Sequence, residues 1–331
     1  MSTEYNTPRN PIRIGSRGSQ LALWQANHIL YALRDAGYHA ELEVIRTTGD
    51  RMQQPGFVAP PNLDGKGIFI KEIEEALEEG RIDLAVHSLK DLPTKLAPQF
   101  TLAAIPKRAD ARDVWVCEPY WALNTFPAGG RIGTTSPRRR AQILALRPDV
   151  TFVEVRGNID TRLKKLADGR CDALVLAAAG LDRLKRTESV HYRFSPEELC
   201  PAPGQGALAI ETRSPDRPAT LEPDELRDAW VRNAVAFLEH LHTRFAVEAE
   251  RITLDALGGG CSLPVGVHCI VPATGAGKWR MLAQVVSPDG ETMIQIDTEA
   301  TYSTTPEVLG RLVADDLVSK GALDLLSAHV V

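Results

Sequence analysis

Apolar residues along the first third of the chain follow two alternating rhythms. Pro11 to Gly15, with Ile12 and Ile14 one residue apart, predicts a short strand, and after Arg17-Gly18 the residues Leu23, Ala26, Leu30 and Leu33 recur at helical spacing. Ser19 is placed to cap that helix and Gly37 to end it. The pattern then predicts a strand over 39–46, a helix over 69–79 closed by Gly80, and strands over 82–87 and 101–106. The polar, proline-containing stretch 47–67 is too long for an ordinary connection and reads as a candidate lid or binding loop.

Residues 107–113 are charged and without apolar period, which suits a crossing into a second domain. The rhythm restarts with a strand over 131–134 entering a helix, with Ser136 at its cap and Pro137 at its first position, where proline's missing N–H costs nothing. A strand over 151–155, a helix capped by Asn158 and running through Ala167, a buried-type strand over 172–177 and a short helix through Leu184 follow. Gly204-Gln205-Gly206 precedes a strand over 207–212 that is expected to return to the first domain, so that two crossings make a hinge. Helical period over 224–257, strands over 265–270 and 281–286 and a helix over 305–320 predict a small α+β domain at the end. The expected organisation is an α/β chain of three domains: a loose tail 1–11, a first domain 12–106 with 206–230, a second 112–203 and a third 240–331.

Composition narrows the function. At 331 residues with 44% hydrophobic content, several ordinary cores are within reach. A net charge of -5 argues against a general nucleic-acid binder, so clustered arginines must answer to a smaller anion. The first eleven residues lack the apolar core of a signal peptide, and the apolar run 173–181 is far short of the roughly 20 residues that span a bilayer, so a soluble cytoplasmic protein is expected. The five cysteines form an odd set with no Cys-x-x-Cys pair, which suggests reduced thiols and no zinc site. His240 and His242 are two apart in a helical stretch and make poor joint ligands, so no metal is expected. Nothing demands a partner chain, and a monomer is expected.

In open α/β sheets ligands sit beyond the carboxyl ends of the strands, and four predicted strands end in charge there. They are followed by Arg17 with Ser19, by Lys90 with Asp91, by Ser136 with Arg138 and Arg139, and by Arg156 with Asn158 and Arg162. Arg138, Arg139 and Arg140 fall in the first turn of a helix, where its dipole disfavours each exposed cation by ~0.3–1 kcal/mol. Either this is a solvated basic face, or a carboxylate or phosphate reverses the sign. Asp91, alone among cations, either neutralises Lys90 or a nearby arginine or exchanges protons with a substrate. His87 reads as a hydrogen-bonded core residue, and Trp24 and Gln25 as packing and surface residues of the first helix. Lys66 lacks the Walker spacing, and no Gly-x-Gly-x-x-Gly follows the first strand, so nucleotide binding has no motif. Cys261 follows Gly258-Gly259-Gly260, a run that leaves room for a bulky group at the sulfur; a buried, inert thiol is the plainer alternative.

Together the motifs Arg13-Ile14-Gly15-Ser16-Arg17-Gly18-Ser19-Gln20-Leu21-Ala22, Thr48-Gly49-Asp50, Gly65-Lys66-Gly67 and Val86-His87-Ser88-Leu89-Lys90-Asp91-Leu92-Pro93 resemble the porphobilinogen deaminase family. The resemblance continues through Gly133-Thr134-Thr135-Ser136, Arg138-Arg139, Arg156-Gly157-Asn158, Thr161-Arg162-Leu163, Gly204-Gln205-Gly206-Ala207 and Gly259-Gly260-Cys261, and so covers nearly the whole chain. It implies two doubly wound domains like those of periplasmic binding proteins and a third that bears Cys261. It also implies a dipyrromethane cofactor joined by a thioether to Cys261, on which four porphobilinogen molecules are joined head to tail into hydroxymethylbilane with loss of ammonia.

By motif match, Asp91 would be catalytic, stabilising the azafulvenium left by ammonia. Lys90, Ser136, Arg138, Arg139 and Arg162 would hold the cofactor, and Arg17, Ser19, Arg156, Arg162 and Arg183 the incoming ring, as arginine forks suit its acetate and propionate. Pro137 stands where many relatives are expected to carry leucine, Arg140 extends the arginine pair, and the loop 51–64 is less family-like. Two competing readings share the arginines: a non-catalytic anion-binding protein of periplasmic type, and a transferase acting on phosphorylated substrates. The first gives no reason for Asp91 among the cations or for a third domain presenting Cys261 on glycines; the second predicts turnover on phosphorylated compounds.

Overall fold

The computed structural model describes residues 6–7, 9–47, 70–117, 121–216, 225–260, 263–271 and 277–327. Cys261, nearly all of the candidate lid 47–67 and part of the expected tail lie outside the described residues. The chain divides into two compact units, Met1–Lys107 with Ala207–Leu241, and Arg108–Gly206 with His242–Val331.

In chain order the elements begin with β1 (Ile12–Arg17), α1 (Gln20–Asp35), β2 (Ala40–Ile45), α2 (Lys71–Glu78), β3 (Leu84–Ser88), a 3₁₀ turn Leu89–Asp91 and β4 (Phe100–Ala104). Next come β5 (Asp113–Cys117), β6 (Arg131–Gly133), α3 (Pro137–Leu146), β7 (Thr151–Val153), α4 (Ile159–Ala167), β8 (Ala173–Ala177), α5 (Ala178–Arg183) and β9 (Tyr192–Arg193). The chain continues through β10 (Leu208–Arg213), α6 (Glu225–Val235), α7 (Leu241–Ala256), β11 (Val265–Ile270), β12 (Trp279–Val286), β13 (Met293–Ala300), α8 (Pro306–Ser319) and α9 (Ala322–Ser327).

The first unit holds a sheet in the order β2-β1-β3-β10-β4, with β1 parallel to β2 and β3 and with β10 antiparallel between β3 and β4. Side chains alternate across it as the pleat demands. Ile12, Ile14, Leu84 and Val86 face α1, packing on Ile29 and Leu33, while Ala85 and Ile45 face α2 with its Ile73, Ala76 and Leu77. A helix on each face makes this a doubly wound domain. Gly15 lies on the α2 side, where a Cβ would come within 2.2 Å of Ile82 Cδ1, so a larger residue there would make the Ile82 side chain shift.

In the second unit the sheet order β7-β6-β8-β5-β9 repeats the plan: three parallel strands, then an antiparallel strand between β8 and the edge. Trp115, Ile132, Val175 and Phe194 fill one face of the sheet, and Val114, Val116, Leu174 and Leu176 the other. The third domain is an antiparallel meander, β11-β12-β13, whose buried Val267, Trp279 and Met281 pack with Ala246, Leu309 and Val313 from α7 and α8. It touches the second domain closely enough that a Cβ on Gly266 would lie 2.5 Å from the Cys200 carbonyl oxygen. No described helix is long and apolar enough to cross a membrane.

The structure adds elements that the hydrophobic pattern did not mark. Residues 107–113 run directly into β5, an all-buried strand without the polar alternation that would have marked it. The helical stretch 224–257 divides into two helices, because Glu239 is extended: its carboxylate accepts the Ile105 N–H at 2.8 Å and the next amide, His240, donates to the Ile105 carbonyl at 2.9 Å. β13 and α9 also escaped the hydrophobic pattern, β13 because as an edge strand it buries only Ile296 fully.

Candidate active site

A pocket in the first unit lies beyond the carboxyl ends of β1 and β3 and is lined in part by Arg17, Ser19, Gln25, His87, Ser88 and Asp91. Ser19 caps α1 as expected, its hydroxyl accepting the Ala22 N–H at 3.4 Å. The turn after β3 is anchored by fully buried Leu89, whose N–H donates to the Ala207 carbonyl at 3.1 Å. That anchor leaves Lys90 half-buried and Asp91 exposed. Asp91 lines the pocket together with Arg17 and Ser19. His87 is the hydrogen-bonded core residue expected, with Nε2 2.9 Å from Glu211 Oε2. Gln25 corrects the sequence reading: it is buried, not a surface residue, and donates to the Ser88 hydroxyl at 2.8 Å inside the pocket. Trp24 stacks on His28 with ring centroids 5.3 Å apart.

In the second unit Ser136 caps α3, accepting the Arg139 N–H at 3.4 Å, with Pro137 in the first turn. Of the three arginines only Arg140 is the solvated residue of a basic face, its guanidinium over Phe152. Arg138 and Arg139 turn inward and share Asp113, with nitrogens 2.7 Å from its Oδ2 and Oδ1 respectively. Arg138 also donates to the Cys200 carbonyl at 2.6 Å, and Arg139 to that of Val175 at 3.1 Å. Gln205 completes the cluster, donating to Asp113 Oδ1 at 2.9 Å and to the Ala111 carbonyl at 2.7 Å. Burial opposes ionisation of Asp113, but the two guanidiniums and Gln205 overcome it and hold the carboxyl at about 2. Burial lowers the Arg138 pKa against the pull of Asp113. The anion that reverses the helix-dipole penalty is thus partly the chain's own, and the cluster of two cations and one carboxylate keeps a unit of positive charge. Sequence reasoning missed Asp113 and Gln205, which lie far from the arginines along the chain.

The remaining arginines of the second unit are placed separately. Arg156 is exposed beside Glu154 at 3.1 Å. Asn158 caps α4, accepting the Thr161 N–H at 2.8 Å, and Arg162 Nε donates to the Gly157 carbonyl at 2.8 Å. Arg183 donates to the Gly206 carbonyl at 2.8 Å, and burial lowers its pKa to about 10 despite Asp182.

After α7 the chain passes through Gly258, Gly259 and Gly260 at φ +99°, +66° and +108°. Three successive left-handed residues are open in practice only to glycine, and they lead straight into Cys261. The described cysteines Cys117, Cys171, Cys200 and Cys269 are buried, and burial pushes the Cys171 thiol up to about 11 and those of Cys200 and Cys269 higher still. Thiolate chemistry is suppressed at these last three. Among the described residues no group of His, Cys, Asp and Glu could hold a metal ion.

Two doubly wound domains, with a pocket beyond the strand ends of the first lined by Arg17, Ser19 and Asp91, define an α/β protein with a candidate site for a small anionic ligand. The family model "Porphobilinogen deaminase, dipyromethane cofactor binding domain" matches residues 12–221, and "Porphobilinogen deaminase, C-terminal domain" matches residues 244–319. Porphobilinogen deaminase of Sulfurimonas denitrificans is 43% identical over 95% of this chain and 96% of its own length. That of Acidothermus cellulolyticus is 44% identical over 96% of this chain and 91% of its own. Among solved structures, the methionine binding protein MetQ is similar with a TM-score of 0.42 and 11% identity, over 69% of this chain and 89% of its own. The chain belongs to the porphobilinogen deaminase family. It is a transferase that joins porphobilinogen into the linear tetrapyrrole hydroxymethylbilane with release of ammonia, and its cofactor is dipyrromethane.

Proposed function

We propose that Asp91 is the acid–base residue of this reaction and that Cys261 anchors the dipyrromethane through a thioether. The observation that carries the first assignment is a carboxylate exposed in a pocket edged by Arg17 and Ser19. Loss of ammonia leaves positive charge on the porphobilinogen ring, and a carboxylate at that ring lowers the energy of the charge as it develops. Arg17 and the N-terminal turn at Ser19 offer donors to the ring's own carboxylates. Arg156, Arg162 and Arg183 belong to the same task, each able to grip acetate or propionate.

Two observations support the fit of the cofactor. The glycine run before Cys261 takes left-handed backbone angles closed in practice to other residues, and a Cβ on Gly258 would meet nothing within 4 Å. The guanidinium pair carries one more positive charge than Asp113 neutralises, which suits a carboxylate-rich ligand. Lys90, Ser136, Arg138, Arg139 and Arg162 are the residues assigned to it. When bound, the group supplies a nucleophilic pyrrole carbon and a tether for the growing chain. The protein works as a cytosolic monomer on this reading, without nucleic acid or membrane, the reducing cytosol keeping its thiols free.

The test is the intact mass of the purified protein beside Cys261→Ser, with a pyrrole colour reagent on both. The native chain should exceed its sequence mass by two pyrrole units and the variant should not. If incubation of an unmodified native chain with porphobilinogen gives no adduct, the anchor assignment fails.

A further inference from the structure

The pocket holds a second ionisable centre besides Asp91. His87, 8% exposed, lines it, and its Nε2 lies 2.9 Å from Oε2 of the fully buried Glu211. In the β3–β10 ladder Ala209 stands opposite His87 and Glu211 opposite Ala85, so His87 and Glu211 are diagonal neighbours on one face. That is the face covered by α2, which carries Glu74, and burial together with the Glu211 charge pushes the Glu74 carboxyl up to about 7. Oε1 of Glu211 has no hydrogen-bond partner among the described residues. A dry tie between two strands would not need this: the backbone ladder already joins β3 to β10, and a half-satisfied buried carboxylate weakens a core.

We propose that His87 is a second proton-handling residue of the porphobilinogen pocket, oriented and charge-balanced by Glu211. The proposal rests on the reading of Asp91 given above. In each condensation the C–N bond breaks with its electron pair leaving on ammonia, a C–C bond forms from pyrrole π electrons, and one proton is freed from carbon. Asp91 on its exposed turn can receive that proton but must be emptied before the next ring enters. The His87 imidazole can take that proton from Asp91 with Glu211 as its counter-charge and pass it to the released ammonia, which leaves as ammonium. The charged groups that share the pocket or its electrostatics with the ring are Glu211 from β10, Glu74 from α2, Arg17 from β1 and Asp91 from the turn. Of these, Glu211 is the one in hydrogen-bond contact with it.

The experiment uses holoenzyme whose loading has been verified by intact mass: wild type, His87→Gln, Glu211→Gln and Glu74→Gln. Their kcat and KM for porphobilinogen are measured from about pH 6 to 9. In His87→Gln kcat should fall about 100-fold with KM within about threefold, and the limb of the pH profile belonging to the pair should disappear. Glu74→Gln should keep that limb but displace it. Wild-type kcat and profile in loaded His87→Gln overturn the proposal. If Glu211→Gln fails to fold, His87→Gln and Glu74→Gln still decide it. Asp91→Asn measured alongside separates the two readings: full turnover there with loss in His87→Gln sinks the role of Asp91, whereas the reverse sinks that of His87.

Discussion

Asp113 is one carboxylate answering two buried guanidiniums, and its side chain is fully buried. Its folded pKa, about 2, lies below the unfolded value of ~3.9, so the stabilisation is complete above pH ~4 and is lost as pH falls through about 2. The contribution is about 2 kcal/mol. Replacing the carboxylate costs more, because it leaves Arg138 and Arg139 buried without a counter-charge: Asp113→Asn should destabilise by about 3–5 kcal/mol. Urea unfolding of the variant beside wild type, with the mass of each preparation verified, measures this directly. An unchanged midpoint would mean that the arginines are balanced by some other group. The arginines were legible in the sequence because cations in the first turn of a helix need an explanation. Asp113, 26 residues before Arg139, was not, because an acid opening a run of buried residues carries no local sign of its partner.

At the scale of elements, what carried a local device could be read and what depended on tertiary contact could not. α1, α3 and α4 were marked by Ser19, Ser136 and Asn158, and each of these side chains does accept an N–H of the first turn. β5 lacked alternation because both its faces are buried, and the break between α6 and α7 is made by Ile105, more than a hundred residues earlier. α2 carries a cost that only packing shows. Glu74 has its carboxyl raised to about 7, first by burial and then by the Glu211 charge. The folded state therefore holds the Glu74 proton more tightly than the unfolded chain, and this element loses stability as pH rises from about 4.5 to 7. Glu74→Gln removes the penalty. Since the side chain is only half-buried, solvent screening reduces the expected gain to the order of 1 kcal/mol above pH ~7, with no gain below pH ~4.5. Thermal melts of the two proteins across that range should converge in acid and separate in alkali; parallel curves would show that Glu74 ionises freely.

For the whole molecule, the repeat of one α/β plan and a small closing domain could be read from rhythm alone, while the means of joining the third domain to the second could not. That join is Glu250 on α7. It is fully buried and accepts Arg108 Nη1 at 2.6 Å and Nη2 at 3.1 Å, the Gly204 N–H at 2.7 Å and the Cys269 N–H at 2.8 Å. One carboxylate thus ties the segment before β5, the Gly204-Gln205-Gly206 turn and β11 to a single point. Burial resists its charge, yet Arg108 and its other donors hold the Glu250 carboxyl at about 2. The sequence shows only a glutamate at a helical position, since none of its four donors lies within a turn of it. Glu250→Gln keeps the shape but removes the charge that compensates buried Arg108, which should cost about 3–5 kcal/mol. The cost should fall within the second unit. Hydrogen exchange read by mass spectrometry is the suitable measurement, because it reports opening segment by segment. In Glu250→Gln, peptides from α7, β11 and the 204–206 turn should exchange far faster than in wild type, while peptides from β1, β3 and α1 keep their protection. Equal protection at β11 in both proteins would show that packing of the meander, not Glu250, makes the join; loss of protection at β1 as well would show that the two units open as one.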